Sequence, residues 1–349
     1  MATHRLRFAV LGYGWVTRYF HIPMIGAVPE CSLVRLGSAR IDRTRAENPG
    51  IRVSSLEEAA TADDVDVVVV ATVNRLHAPL TELALRSGKH VVVEKPFTAT
   101  TGQAKRLLDF AELAGRTVTV FQNRRWDSDF LTVRQAIADG LLGEILHFES
   151  HFDFFTPTVK AAWREQPAPA AGTWFDLGPH LVDQALLLFG HPKNVTARFA
   201  MQREGAQTDD WSHVVLDYGR LQVVLHASQV ARRPADRFLV HGTRGTLVKR
   251  GSDPQEAQLL RGLKPTDAGF GVDPDDALFY PASTTDPLPI GAVRGEQIQF
   301  YTQLARALQG KDNLPVTQDE ALAVMSILEA AAESAAEHRA VVPRWVYRP

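Results

Sequence analysis

Phe8-Ala9-Val10-Leu11-Gly12-Tyr13-Gly14-Trp15-Val16-Thr17 decides the fold. An apolar run breaks at a glycine turn, and the chain passes directly into a helical pattern. Phe8 to Leu11 suits a buried strand, and Thr17 to Val28 reads as a helix interrupted near Pro23. A strand, a glycine turn and a helix in that order gather peptide N–H groups around the positive end of the helix. The first glycine permits the tight turn, and the second lets backbone approach a pyrophosphate. Gly12, Gly14, Trp15 and Val16 are therefore candidate dinucleotide contacts. Thr17 stands where a third glycine or an alanine is usual, so the motif is incomplete and plain turn chemistry is its rival.

Outward from this turn, short apolar runs alternate with helical stretches. Strands are predicted at Leu33 to Leu36, Val65 to Ala71, Val91 to Val93 and Thr117 to Phe121, and helices at Thr81 to Ser87 and Thr101 to Ala114. Unbroken apolar strands separated by helices imply a parallel sheet covered on both faces, a doubly wound Rossmann arrangement. Ligands of such a sheet gather beyond the carboxyl ends of its strands. After the helix Leu131 to Asp139 the pattern changes. Strands follow one another at Ile145 to Phe152, Asn194 to Ala200, His213 to Asp217, Leu221 to Ser228 and Arg237 to Val240, with a glycine-punctuated turn at His241 to Thr246. These predict an open, mostly antiparallel sheet accompanied by the helix Thr173 to Phe189. Proline, glycine and aspartate crowd Ser252 to Gly295, which reads as a long irregular excursion. Helices at Gly295 to Gln309 and Gln318 to His338 close the chain. The expected class is α/β, with a dinucleotide-binding Rossmann domain over 1–122 and an α+β substrate and oligomerisation domain over 123–349, the last helices returning to the first domain.

The end of the second strand bears on which dinucleotide binds. NAD sites commonly place an acidic residue there for the ribose hydroxyls. Here the strand ends at Ser38 and Arg40, with Arg43 one turn later. A hydroxyl and guanidinium groups suit a 2′-phosphate, so NADP is favoured. Asp42 lies close by and would serve NAD. Thr72, Asn74 and His77 follow the valine strand on the same sheet edge, as cofactor contacts or as an ordinary loop with a helix cap.

His90-Val91-Val92-Val93-Glu94-Lys95-Pro96 then delivers an ammonium group where a buried strand ends. A lysine set beside a carboxylate at the ligand edge suggests chemistry, against the alternative of a solvated side chain. In Thr173-Trp174-Phe175-Asp176-Leu177-Gly178-Pro179-His180, Asp176 and His180 are four apart and share a helix face. A carboxylate beside an imidazole suits a proton-transfer group. Alternatively, Thr173 and Asp176 form a capping-box-like start and His180 is a core histidine. Asp183 extends the same polar face. No metal is expected at Asp176, His180 and Asp183, since no other tightly spaced ligand group accompanies them.

Composition bounds the rest. The chain has 349 residues, 45% hydrophobic and 22% charged, with a formal net charge of −2. This profile fits a globular two-domain protein and gives no general attraction to nucleic acid or anionic membrane. One cysteine, Cys31, excludes an internal disulfide. No signal-peptide-like apolar region precedes the first strand, so a cytoplasmic location is expected.

With the glycine turn, Glu94-Lys95-Pro96 and Asp176 through His180 in this order, the chain resembles the Gfo/Idh/MocA oxidoreductases. Asn123-Arg124-Arg125-Trp126-Asp127-Ser128-Asp129-Phe130, Glu149-Ser150-His151-Phe152-Asp153 and Trp163-Arg164-Glu165 are similar to its scyllo-inositol dehydrogenase branch. The resemblance implies that Lys95, Asp176 and His180 are the catalytic set and that Pro96 follows a cis bond. It further implies that Glu94, Trp163 and Arg164 lie by the cofactor, and that the open sheet carries a homodimer or homotetramer interface. The implied activity is NAD(P)-dependent interconversion of a secondary alcohol and ketone on a small polyol or sugar. A keto-sugar or anhydro-sugar reductase using NADPH, and a non-catalytic NADP-binding redox sensor, are the alternatives.

Overall fold

The computed structural model describes residues 5–160 and 163–346. It divides into two compact units, Met1–Asn123 with Gln255–Phe270 and Gln297–Leu322, and Arg124–Pro254 with Gly271–Glu296 and Ala323–Pro349.

The first unit holds β1 (Leu6–Leu11), α1 (Ile22–Ala27), β2 (Cys31–Gly37), α2 (Ile41–Glu47), β3 (Arg52–Ser54), α3 (Leu56–Thr61), β4 (Val67–Val70), α4 (His77–Arg86), β5 (His90–Val93), α5 (Thr101–Leu113) and β6 (Val118–Val120). The strands form one parallel sheet in the order β3-β2-β1-β4-β5-β6. The order reverses beside β1, which is the switch point of a doubly wound fold. Val67 to Val70 and Val91 to Val93 have no exposed surface, and burying a valine contributes roughly 1.5–3 kcal/mol. Pro23 breaks nothing, because it sits in the first turn of α1, directly after a π-helical run over Thr17–His21. The helices α2 and α3 and the three-residue β3 escaped the sequence reading, being short and largely polar.

Backbone hydrogen bonds continue past the strand ends. The N–H groups of Gly12, Ala71, Glu94 and Phe121 donate to the carbonyls of Gly37, Leu11, Val70 and Val93, at 2.8–3.0 Å. The glycine turn, the Thr72 loop and the Lys95 turn therefore leave the sheet along one hydrogen-bonded edge.

The second unit holds α6 (Ser128–Ala138), β7 (Ile145–Asp153), α7 (Thr173–Phe189), β8 (Asn194–Ala200), β9 (Trp211–Asp217), β10 (Gln222–Ser228), β11 (Phe238–Gly242), β12 (Gly245–Lys249), β13 (Ala277–Pro281) and β14 (Leu288–Ile290). Its sheet runs β14-β13-β12-β11-β7-β10-β9-β8. Its pairs are antiparallel except β7 with β10, which run parallel. Phe148, Phe152, Leu225, Val214 and Phe238 are buried on one face, and α7 packs against β10, β9 and β7. His147, Glu149, His151 and Asp153 alternate onto the other face of β7.

The stretch from Ser252 to Gly295 is largely outside helix and strand, as its composition suggests, but three short elements interrupt it. It contributes the helix Gln255–Leu260 to the first unit, and β13 and the edge strand β14 to the second. Pro281 and Pro289 are tolerated at a sheet edge, where a missing N–H costs little. Among the described residues, no helix is long and apolar enough to cross a membrane.

Gly12 has φ +94°, and a Cβ there would collide with the Ala71 carbonyl in the neighbouring loop. Gly12→Ala is expected to lower the unfolding free energy by about 2 kcal/mol or more. Urea denaturation checks this.

Candidate active site

In the first unit, the turn after β1 shows why threonine works at the third glycine position. Thr17 is fully buried, and its hydroxyl donates to the Gly12 carbonyl at 2.7 Å, tying the turn to the helical run. Gly14 is open, with no atom near the position a Cβ would take. A phosphate can approach that backbone closely. Trp15 is exposed and Val16 half-buried beside it. An open cleft of about 260 Å³ lies here, lined by Tyr13, Gly14, Trp15, Ser38, Arg40 and Arg43 among others.

Within this cleft the polar groups differ in their commitments. The Ser38 hydroxyl accepts from the Arg40 N–H at 3.0 Å and from the Thr44 hydroxyl at 2.8 Å, which fixes its place after β2. Arg43 donates to Glu47 at 2.9 Å and holds that carboxyl below its usual range. Asp42, the acidic residue that would favour NAD, is 98% exposed and paired with Arg45 at 3.3 Å. It is not among the residues lining the cleft. These cradles fit a dinucleotide: glycine space for phosphates after β1, and a hydroxyl with guanidinium groups after β2.

The loop after β4 carries Thr72, and Asn74 opens a short 3-10 turn to Leu76. His77 does not reach the surface. Its ring is 1% exposed, with Nδ1 2.8 Å from the Pro96 carbonyl and Nε2 3.3 Å from the Thr72 carbonyl. Burial lowers its pKa despite those carbonyls and Glu94. A neutral ring donates to one of them, and the shorter Pro96 bond takes the proton. His77 thus joins the Thr72 loop to the Lys95-Pro96 turn.

Lys95 is half-buried at the end of β5, and the Lys95-Pro96 bond is cis. Beneath it, Glu94 is 6% exposed and accepts the Lys95 N–H at 3.1 Å through Oε2 and His21 Nε2 at 3.1 Å through Oε1. His21 Nδ1 lies 2.6 Å from the Tyr301 hydroxyl. Donation by His21 Nε2–H to the carboxylate leaves Nδ1 to accept from Tyr301, whose pKa burial raises well above the phenol range. Burial pushes Glu94 up, but the His21 hydrogen bond and the charge of Lys95 outweigh it, and its pKa falls. Sequence reading missed His21 and Tyr301, which lie 280 positions apart.

In the second unit, α7 starts differently from the capping box its sequence suggests. Gly172, at φ +91°, is the N-cap, and a Cβ there would meet the Asp209 carboxylate. Asp209 supplies the cap: its carboxylate accepts the Trp174 N–H at 2.7 Å and its carbonyl the Thr173 N–H at 2.8 Å. Burial pushes the Asp209 carboxyl up to about 6. Asp176 does not cap the helix, and its Oδ1 lies 3.2 Å from Arg164 Nε. The Arg164 guanidinium stacks 4.4 Å above the Trp163 ring. One turn on, His180 is buried, with its ring edge-on to Phe152 at 6.5 Å. Asp183 does not extend this polar set. It is buried in a two-point pair with Arg125, at 2.7 and 2.9 Å.

Residues 6–122 match the family profile described as the oxidoreductase family, NAD-binding Rossmann fold, and residues 134–343 its C-terminal alpha/beta domain. The chain is 40% identical over 340 residues to the uncharacterized oxidoreductase YdgJ of Escherichia coli, covering 97% of this chain and 98% of that one. It is 36% identical to the scyllo-inositol 2-dehydrogenase (NADP(+)) IolW of Bacillus subtilis, covering 97% and 96%. A crystallised Klebsiella pneumoniae protein superposes with a TM-score of 0.91 at 43% identity, covering 97% and 95%.

The lowered Glu94 pKa has a definite sign in folding. Its stabilisation is present above the unfolded carboxylate pKa and is lost as pH falls through the lower folded value. Glu94→Gln is expected to flatten this acid limb and to cost about 1.5–3 kcal/mol at neutral pH. Denaturant unfolding between pH 3 and pH 7, roughly the carboxylate window, checks both.

Proposed function

The chain belongs to the Gfo/Idh/MocA oxidoreductase family, and from that premise we propose that it interconverts a secondary alcohol and a ketone on a polyol or sugar ring with NADP, as a scyllo-inositol dehydrogenase does. The observation that carries this reading is Lys95. The sheet edge that bears the glycine turn also bears this lysine, on a turn braced by Glu94, His21, His77 and Pro96. The name of the Bacillus subtilis relative supports both the alcohol class and the cofactor.

The proposed catalytic set is Lys95, Asp176 and His180. The nicotinamide, when bound, accepts or returns the hydride. Lys95 donates a hydrogen bond to the substrate oxygen and stabilises the negative charge that develops on it. His180 takes the hydroxyl proton, and Asp176 orients His180 or holds a neighbouring hydroxyl. Gly12, Gly14, Trp15 and Val16 serve the phosphates. Thr72, Asn74, Trp163 and Arg164 serve the ribose and nicotinamide side, while Glu94 and His77 act by holding the loops that do so. The small-molecule substrate would be handled by the second unit, whose open sheet also offers the surface for a homodimer or homotetramer, and the protein would work in the cytoplasm.

The commitments in the cleft support NADP over NAD. Ser38 and Arg40 line it, whereas Asp42 is exposed outside it and paired with Arg45. Arg40→Ala is expected to raise KM for NADP about 10-fold or more and leave KM for NAD nearly unchanged. Equal effects on both would reverse the cofactor assignment.

Lys95→Met is expected to keep NADPH affinity within about twofold and to cut turnover on scyllo-inositol by roughly 10³-fold, the scale of removing one charge-stabilising group. Cofactor fluorescence and steady-state rates measure the two separately. Turnover that survives the substitution removes Lys95 from the chemistry. Turnover of keto-sugars with no activity on inositols moves the substrate to the reductase class, and NADPH binding without turnover on either panel favours a sensor.

A further inference from the structure

On the sheet face away from α7, β7 and β10 run in parallel with His226 opposite His151, and Asp153 follows two residues later on the same side. His151, Asp153 and His226 each offer a donor atom, and the three atoms lie within 4.8 Å of one another. Their side chains are 13%, 6% and 14% exposed, so this is not a solvated surface cluster.

Following the protons shows what the cluster lacks. His151 Nε2 lies 2.9 Å from Glu149 Oε2, which makes Nε2–H the donor and leaves the lone pair on Nδ1. That Nδ1 is buried and has no hydrogen-bond partner. Asp153 Oδ2 accepts the Ala235 N–H at 2.9 Å, while Oδ1 is buried and has no hydrogen-bond partner. Oδ1 faces His226 Nε2 at 3.6 Å, too far for a hydrogen bond. His226 Nδ1 lies 3.4 Å from His213 Nδ1, and in the tautomer that carries its proton on Nδ1 the lone pair of His226 is on Nε2. In that tautomer two imidazole lone pairs and a carboxylate oxygen converge. Buried acceptors left in this state are costly, and a cation among them removes the cost.

We propose that His151, Asp153 and His226 bind a divalent transition-metal ion of zinc-like preference. Two imidazoles and one carboxylate suit such an ion better than calcium or magnesium, which prefer oxygen. Glu149 behind His151 is the outer carboxylate that commonly orients a metal-bound histidine. Tetrahedral bonds of about 2.0–2.1 Å set donor atoms roughly 3.3 Å apart, near the observed 3.6 Å edge, and small side-chain rotations close the rest. The Trp211 ring lies edge-on to His226 at 5.4 Å and covers one side. Three protein ligands leave a fourth position for water or another small ligand. The ion would also staple the parallel pair of strands in this sheet.

The test uses the full chain, stripped with chelator and titrated with Zn²⁺ and, as a spectroscopic probe, Co²⁺. One ion per chain with Kd below about 10 μM is expected, with visible Co²⁺ bands of nitrogen ligation and a higher thermal midpoint for the loaded protein. Asp153→Asn and His226→Gln should each weaken binding by about 100-fold or more, and Glu149→Gln by about 10-fold. Circular dichroism of each metal-free variant reports its fold, and two ligand variants keep the test decisive if one does not fold. Absence of saturable uptake of either ion below about 100 μM, or unchanged affinity in the folded ligand variants, overturns the site.

Discussion

The first unit depends on a hydrogen-bond ladder that does not stop where its strands stop. Gly12, Ala71, Glu94 and Phe121 each donate one step beyond β1, β4, β5 and β6. A parallel sheet buried on both faces has no freedom to slip, because its valines fill the layers above and below. The loops inherit that register. A glycine turn, a polar loop and a lysine from three separated stretches of sequence therefore meet one ligand edge without any of them having to be rigid alone. This is how apolar content, which carries no chemistry, determines where chemistry occurs.

Beneath the Lys95 turn and beside the start of α7 sits a carboxylate that accepts a backbone N–H. Glu94 holds the Lys95 turn, and Asp209 holds the first turn of α7. The two carboxyls are shifted in opposite directions by their surroundings. Glu94 accepts from His21 beside the Lys95 ammonium and is lowered, whereas Asp209 is dominated by burial and is raised to about 6. In the second arrangement Asp176 does not cap the helix and faces Arg164. His77 plays a related part, lying between the Thr72 carbonyl of one loop and the Pro96 carbonyl of the Lys95 turn.

What could be read from the sequence divides along a physical line. The continuous valine strands, the glycine turn, α7 and the alternating strands β8 to β10 were legible, since each announces itself through apolar periodicity or a required glycine. Strands β13 and β14 were hidden because they are short and carry Pro281 and Pro289, a residue type that otherwise signals loops. The supports were hidden for another reason. His21 finds Tyr301 across 280 positions, and Asp209 caps a helix 35 positions before it. No local pattern encodes a partner at that distance. Even the irregular third position of the glycine turn had a local explanation, the Thr17 hydroxyl bond to Gly12, that only the path of the backbone reveals.

The parallel pairing of β7 with β10 has a consequence for the order in which the second sheet assembles. β8, β9 and β10 form one run of sequential antiparallel pairs, and β11 to β14 form another. β7, earlier in the chain than all of them, lies between the two runs. Neither run can reach the other through its own turns, so the earliest strand must close the sheet by contacts distant in sequence. Loop-closure entropy makes such contacts slow to form. The strand synthesised first is accordingly the one on which the sheet must wait.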